Sequence, residues 1–305
     1  MKYISENMDF KLKNTAVTLG KFDGIHRGHR LLIDEVLSLK GQGYTSVMFT
    51  FLYHPYNLLS DNEVKLIFTE EEKRARLESL GMDVLISYPF TNDTKNIQPE
   101  DFIKDILVNK LDVKVIVVGN DFRFGKNRRG DVEMLKAMES VYGYKVIAFE
   151  KKRWKDTVIS SSTIRDELAK GNMEDVNEML GQPYYIHGKV LHGRKIGRTL
   201  GMPTTNLTPN TYKLLPPSGV YVSRTIIDGI SYPGMTNIGY KPTVGAEEFK
   251  GVETYMYDFD GDLYGQEIDV ELLTYKRQEL KFNSLEELKF TMEEDLAIGR
   301  KYFGI

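Results

Sequence analysis

Residues 18–29 read Thr18-Leu19-Gly20-Lys21-Phe22-Asp23-Gly24-Ile25-His26-Arg27-Gly28-His29, and the two histidines three positions apart are the side chains here best able to do chemistry. Ala16, Val17 and Leu19 form an apolar run that stops at Gly20, as a short buried strand would. Leu32, Val36 and Leu39 then recur at helical spacing until Gly41 and Gly43 break the pattern. A glycine-rich turn therefore delivers the chain to a helix N-terminus, where unpaired N–H groups and the helix dipole attract phosphate. His26 and His29 share one face of that first turn. Two imidazoles there can donate hydrogen bonds to a phosphate and help carry charge that builds up on it. The competing reading is a corner with two surface histidines, or half of a zinc site. Zinc needs three or four ligands, and the chain offers only His54, His187 and His192 besides, with no cysteine.

A second stretch, Gly193-Arg194-Lys195-Ile196-Gly197-Arg198-Thr199-Leu200-Gly201-Met202-Pro203-Thr204-Thr205-Asn206-Leu207, suits a different phosphate chemistry. Glycines separated by cations can bring backbone N–H groups up to phosphate. In an extended run Thr204 and Asn206 point the same way, giving two neutral oxygens for a hard cation. Taken alone, Pro-Thr-Thr-Asn is an ordinary turn. Between the two stretches, residues 119–131 combine Gly119, Asn120, Asp121, Gly125 and Gly130 with Arg123, Lys126, Arg128 and Arg129. Such a loop can fold over an anionic ligand, with Phe122 or Phe124 as a stacking face, while Asp131 has the makings of a helix N-cap. The hydroxyls of Ser160, Ser161, Ser162 and Thr163 also stand at a helix start, where capping alone would explain Ser162 or Thr163. His54, beside Pro55, either reaches a phosphate or decorates a proline turn.

These residues need a scaffold, and the hydrophobic pattern outlines one. Strands are expected at 16–19, 45–51, 83–87 and 113–118, with helices after Gly28, over 69–81 behind a capping box, and over 99–107. Alternating strands and helices make a parallel sheet covered on both faces, with ligands beyond the carboxyl ends of its strands. A last helix over 172–180 ends at Gly181, and short strands take over at 185–191, 220–227, 252–259 and 267–273. Turn signals at Pro216-Pro217, Asp228-Gly229 and Asp260-Gly261 separate most of them. Residues 258–262 lack the glycine an EF-hand needs at its sixth position and read as a tight hairpin. Ser284 and Glu287 have capping-box spacing, and Leu285, Leu288, Met292 and Leu296 then line one face of a closing helix packed on a barrel. The expected fold class is α/β, with domains at 1–182 and 183–305.

At 305 residues, two domains is the expectation. A net charge of -3 argues against a general nucleic-acid binder. The absence of cysteine excludes a disulfide framework, a cysteine nucleophile and cysteine-ligated metal. The N-terminal residues show no apolar run of signal-peptide length, and no stretch is apolar enough to span a bilayer. A cytoplasmic enzyme with no membrane partner fits, and homo-oligomerisation stays open.

His26-Arg27-Gly28-His29 resembles the H-x-G-H signature of the nucleotidyltransferase superfamily. The longer form from Gly20 to His29 resembles more narrowly the prokaryotic bifunctional riboflavin kinase/FMN adenylyltransferases, or FAD synthetases. That resemblance implies a Rossmann-like nucleotidyltransferase domain followed by a small antiparallel β-barrel riboflavin kinase domain with a C-terminal helix. It assigns Gly20, Phe22, Asp23 and Gly24 to nucleotide binding and His26 and His29 to catalysis. Residues 119–131 resemble the family's G-x-D-F-R-F-G-x-x-R-x-G-D segment, which implies contact with ATP and FMN from Asn120 and Asp121. Residues 159–165 resemble I-S-S-T-x-I-R, which implies Ser160, Ser161 and Arg165 at the ATP phosphates, although Thr163 stands where a second arginine is common. Residues 193–207 resemble G-x-x-x-G-x-x-x-G-x-P-T-A-N, with Thr205 in place of alanine. By that likeness Gly193 and Gly197 approach phosphate, and Thr204 and Asn206 hold Mg2+ and ATP. Residues 237–243 resemble N-x-G-x-x-P-T and carry Asn237, Glu253 takes the family's general-base position, and Arg277 lines the flavin pocket. Spacing alone does not choose Glu253 over Glu267 or Glu271.

The implied reactions use riboflavin, FMN and ATP. The γ-phosphoryl of ATP passes to riboflavin, and the FMN so formed attacks the α-phosphorus of a second ATP, releasing pyrophosphate. A kinase with an inactive first half, or a non-catalytic flavin or nucleotide sensor, would use the same surfaces. An aminoacyl-tRNA synthetase also uses an H-x-G-H helix, but its Lys-Met-Ser-Lys-Ser-like partner loop is missing here.

Overall fold

The computed structural model describes residues 1–5, 9–52, 64–192, 197, 200–241 and 249–305, the side chains of residues 241 and 249 excepted. His54, Gly193 and the 242–248 part of the N-x-G-x-x-P-T segment lie outside the described residues. Two compact units emerge, Met1–Ser161 and Ser162–Ile305.

The first unit is built on a parallel sheet. Its strands are β1 (Lys2–Ser5), β2 (Thr15–Leu19), β3 (Thr45–Phe51), β4 (Val84–Tyr88), β5 (Val113–Gly119) and β6 (Lys145–Phe149), arranged β1-β4-β3-β2-β5-β6. Strands β2 and β4 are buried along their whole length, as a sheet with both faces covered requires. Val17, Leu19, Phe49, Ile86, Ile116 and Val118 meet Phe102, Ile103, Ile106 and Leu107 in one core. The edge strands β1 and β6 were not legible in the hydrophobic pattern, because each is only half buried and its alternation is weak. Helix α1 (Arg27–Ser38) follows β2, and α2 (Glu70–Ser79) opens on the expected capping box. There Thr69 Oγ1 accepts the Glu72 N–H at 3.2 Å and Glu72 Oε2 accepts the Thr69 N–H at 2.9 Å. A short helix α3 (Val132–Ala137) is capped by Asp131. The strand order reverses beside β2: the chain steps outward to β3 and returns past β2 to β5. That switch point is where an open sheet leaves a crevice for ligand, and the turn into α1 and the 119–131 loop rise from its two strands.

Helices α4 (Ser161–Lys170) and α5 (Met173–Leu180) lead into the second unit. Asn177 Nδ2 donates to the Leu272 carbonyl at 3.0 Å and its Oδ1 accepts the Tyr184 N–H at 2.7 Å, which fastens α5 to the barrel. Strands β7 (Tyr184–Leu191), β8 (Thr204–Pro209), β9 (Gly219–Ile227), β10 (Ile230–Lys241), β11 (Phe249–Met256) and β12 (Glu267–Gln278) close in the order β7-β8-β11-β10-β9-β12. The interior holds Leu207, Tyr221, Ile238 and Val252, with a hydroxyl chain in which Thr236 Oγ1 bonds Ser223 and Thr254, each at 2.8 Å. Residues 258–262 do not form the expected hairpin. Strand β11 pairs with β8 and β10, whereas β12 pairs with β7 and β9, so this connection joins strands that are not neighbours. Closing the barrel requires β12 to reach the first strand, and that requirement overrides the local turn signal.

The last helix, α6 (Leu285–Phe303), covers Val220, Val222, Met235 and Tyr257 on the outer face. Its contact is narrower than the periodicity predicts. Leu296 and Phe303 pack on that cluster, while Leu285 is 58% exposed. The difference lies in what pulls the helix down. Arg277 grips Asp295 through two bonds, Nε–Oδ1 at 3.0 Å and Nη2–Oδ2 at 2.5 Å. Gly299 then lets the backbone approach: a Cβ there would lie 2.2 Å from Tyr257 Oη and 2.6 Å from Met235 Sδ. In an open helix Gly→Ala gains about 1 kcal/mol, but overpacking costs about 1–3 kcal/mol. Gly299→Ala is therefore expected to destabilise the barrel unit, and adding Tyr257→Phe should restore part of the loss. Chemical denaturation followed by circular dichroism checks both, and a more stable Gly299→Ala protein would refute the packing account.

Candidate active sites

The turn between β2 and α1 reverses the chain within a few residues. Phe22 (φ 48°), Gly24 (φ 88°) and Ile25 (φ 39°) all take left-handed backbone conformations, and Phe22 and Ile25 are buried. Left-handed φ is a genuine outlier for a β-branched residue such as Ile25. Asp23 holds the turn from two sides. Its Oδ1 accepts the Ile67 N–H at 2.9 Å, and its carbonyl accepts the Ser161 hydroxyl at 2.8 Å. Gly24 is required twice over, by its φ and because a Cβ would lie 3.1 Å from Ile67 Cγ2. Gly20 donates its N–H to the Phe49 carbonyl at 3.2 Å and underlies the Phe22 ring.

His26 is the N-cap of α1. Its Nδ1 accepts the His29 N–H at 3.2 Å, so that nitrogen carries no proton and Nε2–H is free to donate. Gly28 makes room for it, since a Cβ there would sit 3.1 Å from the His26 ring. The His26 and His29 rings stack with centroids 3.6 Å apart, and Phe22 packs edge-on to His29 at 5.0 Å. Burial pushes His26 down to about 4, with a backbone hydrogen bond acting slightly against it. His29 is also held well below the usual imidazole value, first by burial and then by the charges of His26 and Lys73. Both rings are thus neutral near pH 7. A neutral imidazole still offers an N–H donor, and such a donor can stabilise charge that builds up on a phosphate.

The structure joins the turn, the histidine pair and Ser161 in one corner. Arg165 follows on α4, one turn after Ser161. Asn120 and Asp121 make their contacts elsewhere, toward the end of β6. The Asn120 amide donates to Glu150 Oε2 at 2.6 Å, and Asp121 pairs with Lys151 at 2.8 Å. With Arg123, Lys136 and Glu150, Asn120 helps line an open concavity of about 340 Å3. Phe124 is core rather than a stacking face, buried against Phe102, while Phe122 stacks on it only half buried. Asp131 caps α3, accepting the Met134 N–H at 2.9 Å, and pairs with Arg123 at 2.7 Å.

On the barrel, strand register shows which polar residues stand side by side. Asn206 on β8 stands directly opposite Glu253 on β11, and Glu253 opposite Asn237 on β10. Residues paired this way share a face, so these three form one row on the outer wall, with Thr204 two positions along from Asn206. Gly197 lies against this row: a Cβ there would be 2.3 Å from the Met202 carbonyl and 3.4 Å from Thr204 Oγ1. The rival glutamates are on β12, away from the row. Glu271 pairs with Arg224, and Glu267 lies 3.7 Å from His187 Nε2. Arg277 is committed to Asp295 on α6.

The family model for FAD synthetase matches residues 9–163, and that for riboflavin kinase matches residues 180–303. A bifunctional riboflavin kinase/FMN adenylyltransferase of Bacillus subtilis is 37% identical over 296 residues, covering 95% of this chain and 93% of the relative. The chain belongs to the bifunctional riboflavin kinase/FMN adenylyltransferase family. Relatives of the same name from Buchnera aphidicola (36% identical, 96% of this chain and 94% of the relative) and Listeria monocytogenes (34%, 95% and 93%) agree. A solved chain from Streptococcus pneumoniae, described as a macrolide-efflux protein, shares the architecture with a TM-score of 0.87. It is 28% identical, over 98% of this chain and 99% of that one. Among the described residues of this family member, no helix is long and apolar enough to cross a membrane.

In this adenylyltransferase unit the buried His26 makes stability depend on pH. Its folded pKa is depressed from 6.5 to about 4, so between those values the unfolded chain takes up a proton that the folded one refuses. Stability should fall as pH drops through that window, by about 3 kcal/mol from His26. His26→Asn keeps a capping acceptor and should remove this part of the loss. Trp154, the only tryptophan, lies in the first unit, so urea midpoints read from its fluorescence at pH 6.5 and 4.5 report on it. Equal pH sensitivity in both proteins would refute the assignment.

Proposed function

We propose that the histidine corner carries adenylyl transfer and the outer barrel row carries phosphorylation, with the functional division between Gln182 and Pro183. As a bifunctional riboflavin kinase/FMN adenylyltransferase, the chain phosphorylates riboflavin to FMN and then joins FMN to AMP from ATP, giving FAD and pyrophosphate. The observation that carries the division of labour is the register bringing Asn206, Glu253 and Asn237 into one row, in a unit separate from the stacked histidines.

In the first reaction Glu253 takes the proton from the riboflavin 5′-hydroxyl as the oxygen attacks the γ-phosphorus. Thr204 and Asn206 supply neutral oxygens suited to Mg2+, which keeps much of its water and prefers oxygen donors beside phosphate. Bound there, the ion would neutralise charge on the transferring group. The close backbone approach at Gly197 fits a nucleotide phosphate. In the second reaction an FMN phosphate oxygen displaces pyrophosphate from the ATP α-phosphorus in line, with no protein nucleophile. His26 Nε2–H and His29 donate to phosphate oxygens, the α1 N-terminus adds its dipole, and Arg165 supplies positive charge. Asn120 and Asp121 can reach ATP or FMN with the polar atoms that their bonds to Glu150 and Lys151 leave over. With no membrane-crossing helix among the described residues and no cysteine, the cytoplasm is the proposed compartment.

Incubation with riboflavin, Mg2+ and ATP should yield FMN and FAD; FMN alone would mean a silent first unit, and unchanged riboflavin a sensor. His29→Ala should slow FAD formation from FMN about a hundredfold or more and leave riboflavin phosphorylation intact. Glu253→Ala should slow phosphorylation by about 100–10,000-fold while supplied FMN still becomes FAD. Equal damage to both steps by either folded variant would overturn the assignment.

A further inference from the structure

Asp23 stands among the residues that sequence likeness assigns to nucleotide binding, yet it is 4% exposed and its carboxylate is engaged inside the protein. Its Oδ1 accepts the Ile67 N–H at 2.9 Å, just before α2, and its carbonyl accepts the Ser161 hydroxyl at 2.8 Å, where α4 begins. The residues on either side of it bear on both histidines. The Phe22 ring, one position before, meets the His29 ring edge-on with centroids 5.0 Å apart. Three positions after comes His26, whose ring stacks on His29 at 3.6 Å and whose Nδ1 receives the His29 N–H at 3.2 Å. Phe22, Gly24 and Ile25 are all left-handed, so the backbone keeps this course only while something outside the turn fixes it. The Ile67 side chain completes the hold, lying over Gly24 where a Cβ would meet its Cγ2 at 3.1 Å.

We propose that Asp23 is a positioning residue of the adenylyl-transfer site: its carboxylate aims both histidines by accepting a backbone hydrogen bond and does not itself meet the nucleotide or its metal ion. A carboxylate bonded to a backbone N–H makes a stronger tie than a neutral acceptor does, which suits a turn with three left-handed residues. Misplacing catalytic donors by about 1 Å costs on the order of a hundredfold in rate. That cost falls on the transition state, where the donors are needed, and little of it on the binding of ATP. The inference rests on the histidine-corner reading.

Steady-state kinetics of FAD formation from FMN by the full-length protein, expressed per folded enzyme, test it, with riboflavin phosphorylation by the same samples as the control. Asp23→Ala is expected to lower kcat about a hundredfold, while the KM for ATP and the half-saturating Mg2+ concentration stay within about threefold. Asp23→Asn keeps an oxygen to accept the Ile67 N–H and should recover about tenfold or more of that loss. If Asp23→Ala does not fold, Asp23→Asn decides alone: an unmoved Mg2+ requirement and ATP KM support the proposal, and a rise in either overturns it, because the charge then meets the nucleotide or its metal. A folded Asp23→Ala protein with undiminished kcat, or an Asn variant as slow as the Ala one, overturns it too. His29→Ala separates the two readings. If that variant forms FAD normally, the histidine corner falls; if it does not while Asp23→Ala does, only the role of Asp23 falls.

Discussion

The turn from β2 into α1 must aim a helix N-terminus at the crevice while keeping two large apolar side chains out of water. It does so against the backbone's preference, since left-handed conformations at ordinary residues cost about 1–3 kcal/mol each. Asp23 is the tie that makes this tolerable. One oxygen takes a backbone N–H from the segment before α2 and the carbonyl takes a hydroxyl at the start of α4. Three segments far apart in the chain thereby meet at one residue. The stacked imidazoles sit on that junction, so their geometry is inherited from a constraint that involves neither of them.

Burial then decides what the imidazoles can do. A pair of stacked rings sunk into a corner gives up its protons long before neutral pH, and what remains is a set of well-aimed N–H groups in a dry setting, where a dipole does more than in water. Net positive charge has to come from groups other than the buried rings. The barrel takes the opposite course. Its row of Asn206, Glu253 and Asn237 is half exposed on an outer wall, offering oxygens and a carboxylate instead of buried rings. In the proposed reading each arrangement suits its own reaction: one displacement needs no base from the protein, and the other begins by removing a proton from a hydroxyl.

Two glycines of different kinds set the limits of approach. Gly197 itself comes close to the Met202 carbonyl beside the row of Asn206, Glu253 and Asn237, and Gly299 lets the closing helix lie on Tyr257. In the second case the Arg277–Asp295 pair supplies the direction. An arginine that family likeness assigns to the flavin pocket is thus also the clasp of the domain's last helix.

What the chain alone determined is local. Capping at Thr69 and Ser284, the apolar strands β2, β3 and β5, the stop at Gly181 and the phosphate-seeking character of residues 18–29 all depend on neighbours within a few positions, which spacing records faithfully. The fold class followed from the order of such pieces. Contacts between distant segments left no such record. The edge strands β1 and β6 carry weak patterns because half their surface meets solvent. The connection after β11 looked like a hairpin because turn residues do not say which strand comes next. Spacing did not tell Glu253 from Glu267 or Glu271, and it could not record that strand register puts Asn206 and Asn237 on either side of Glu253. Tertiary structure alone determines which side chains lose their water, and with it the protonation state of the histidines on which the adenylyl-transfer chemistry is proposed to turn.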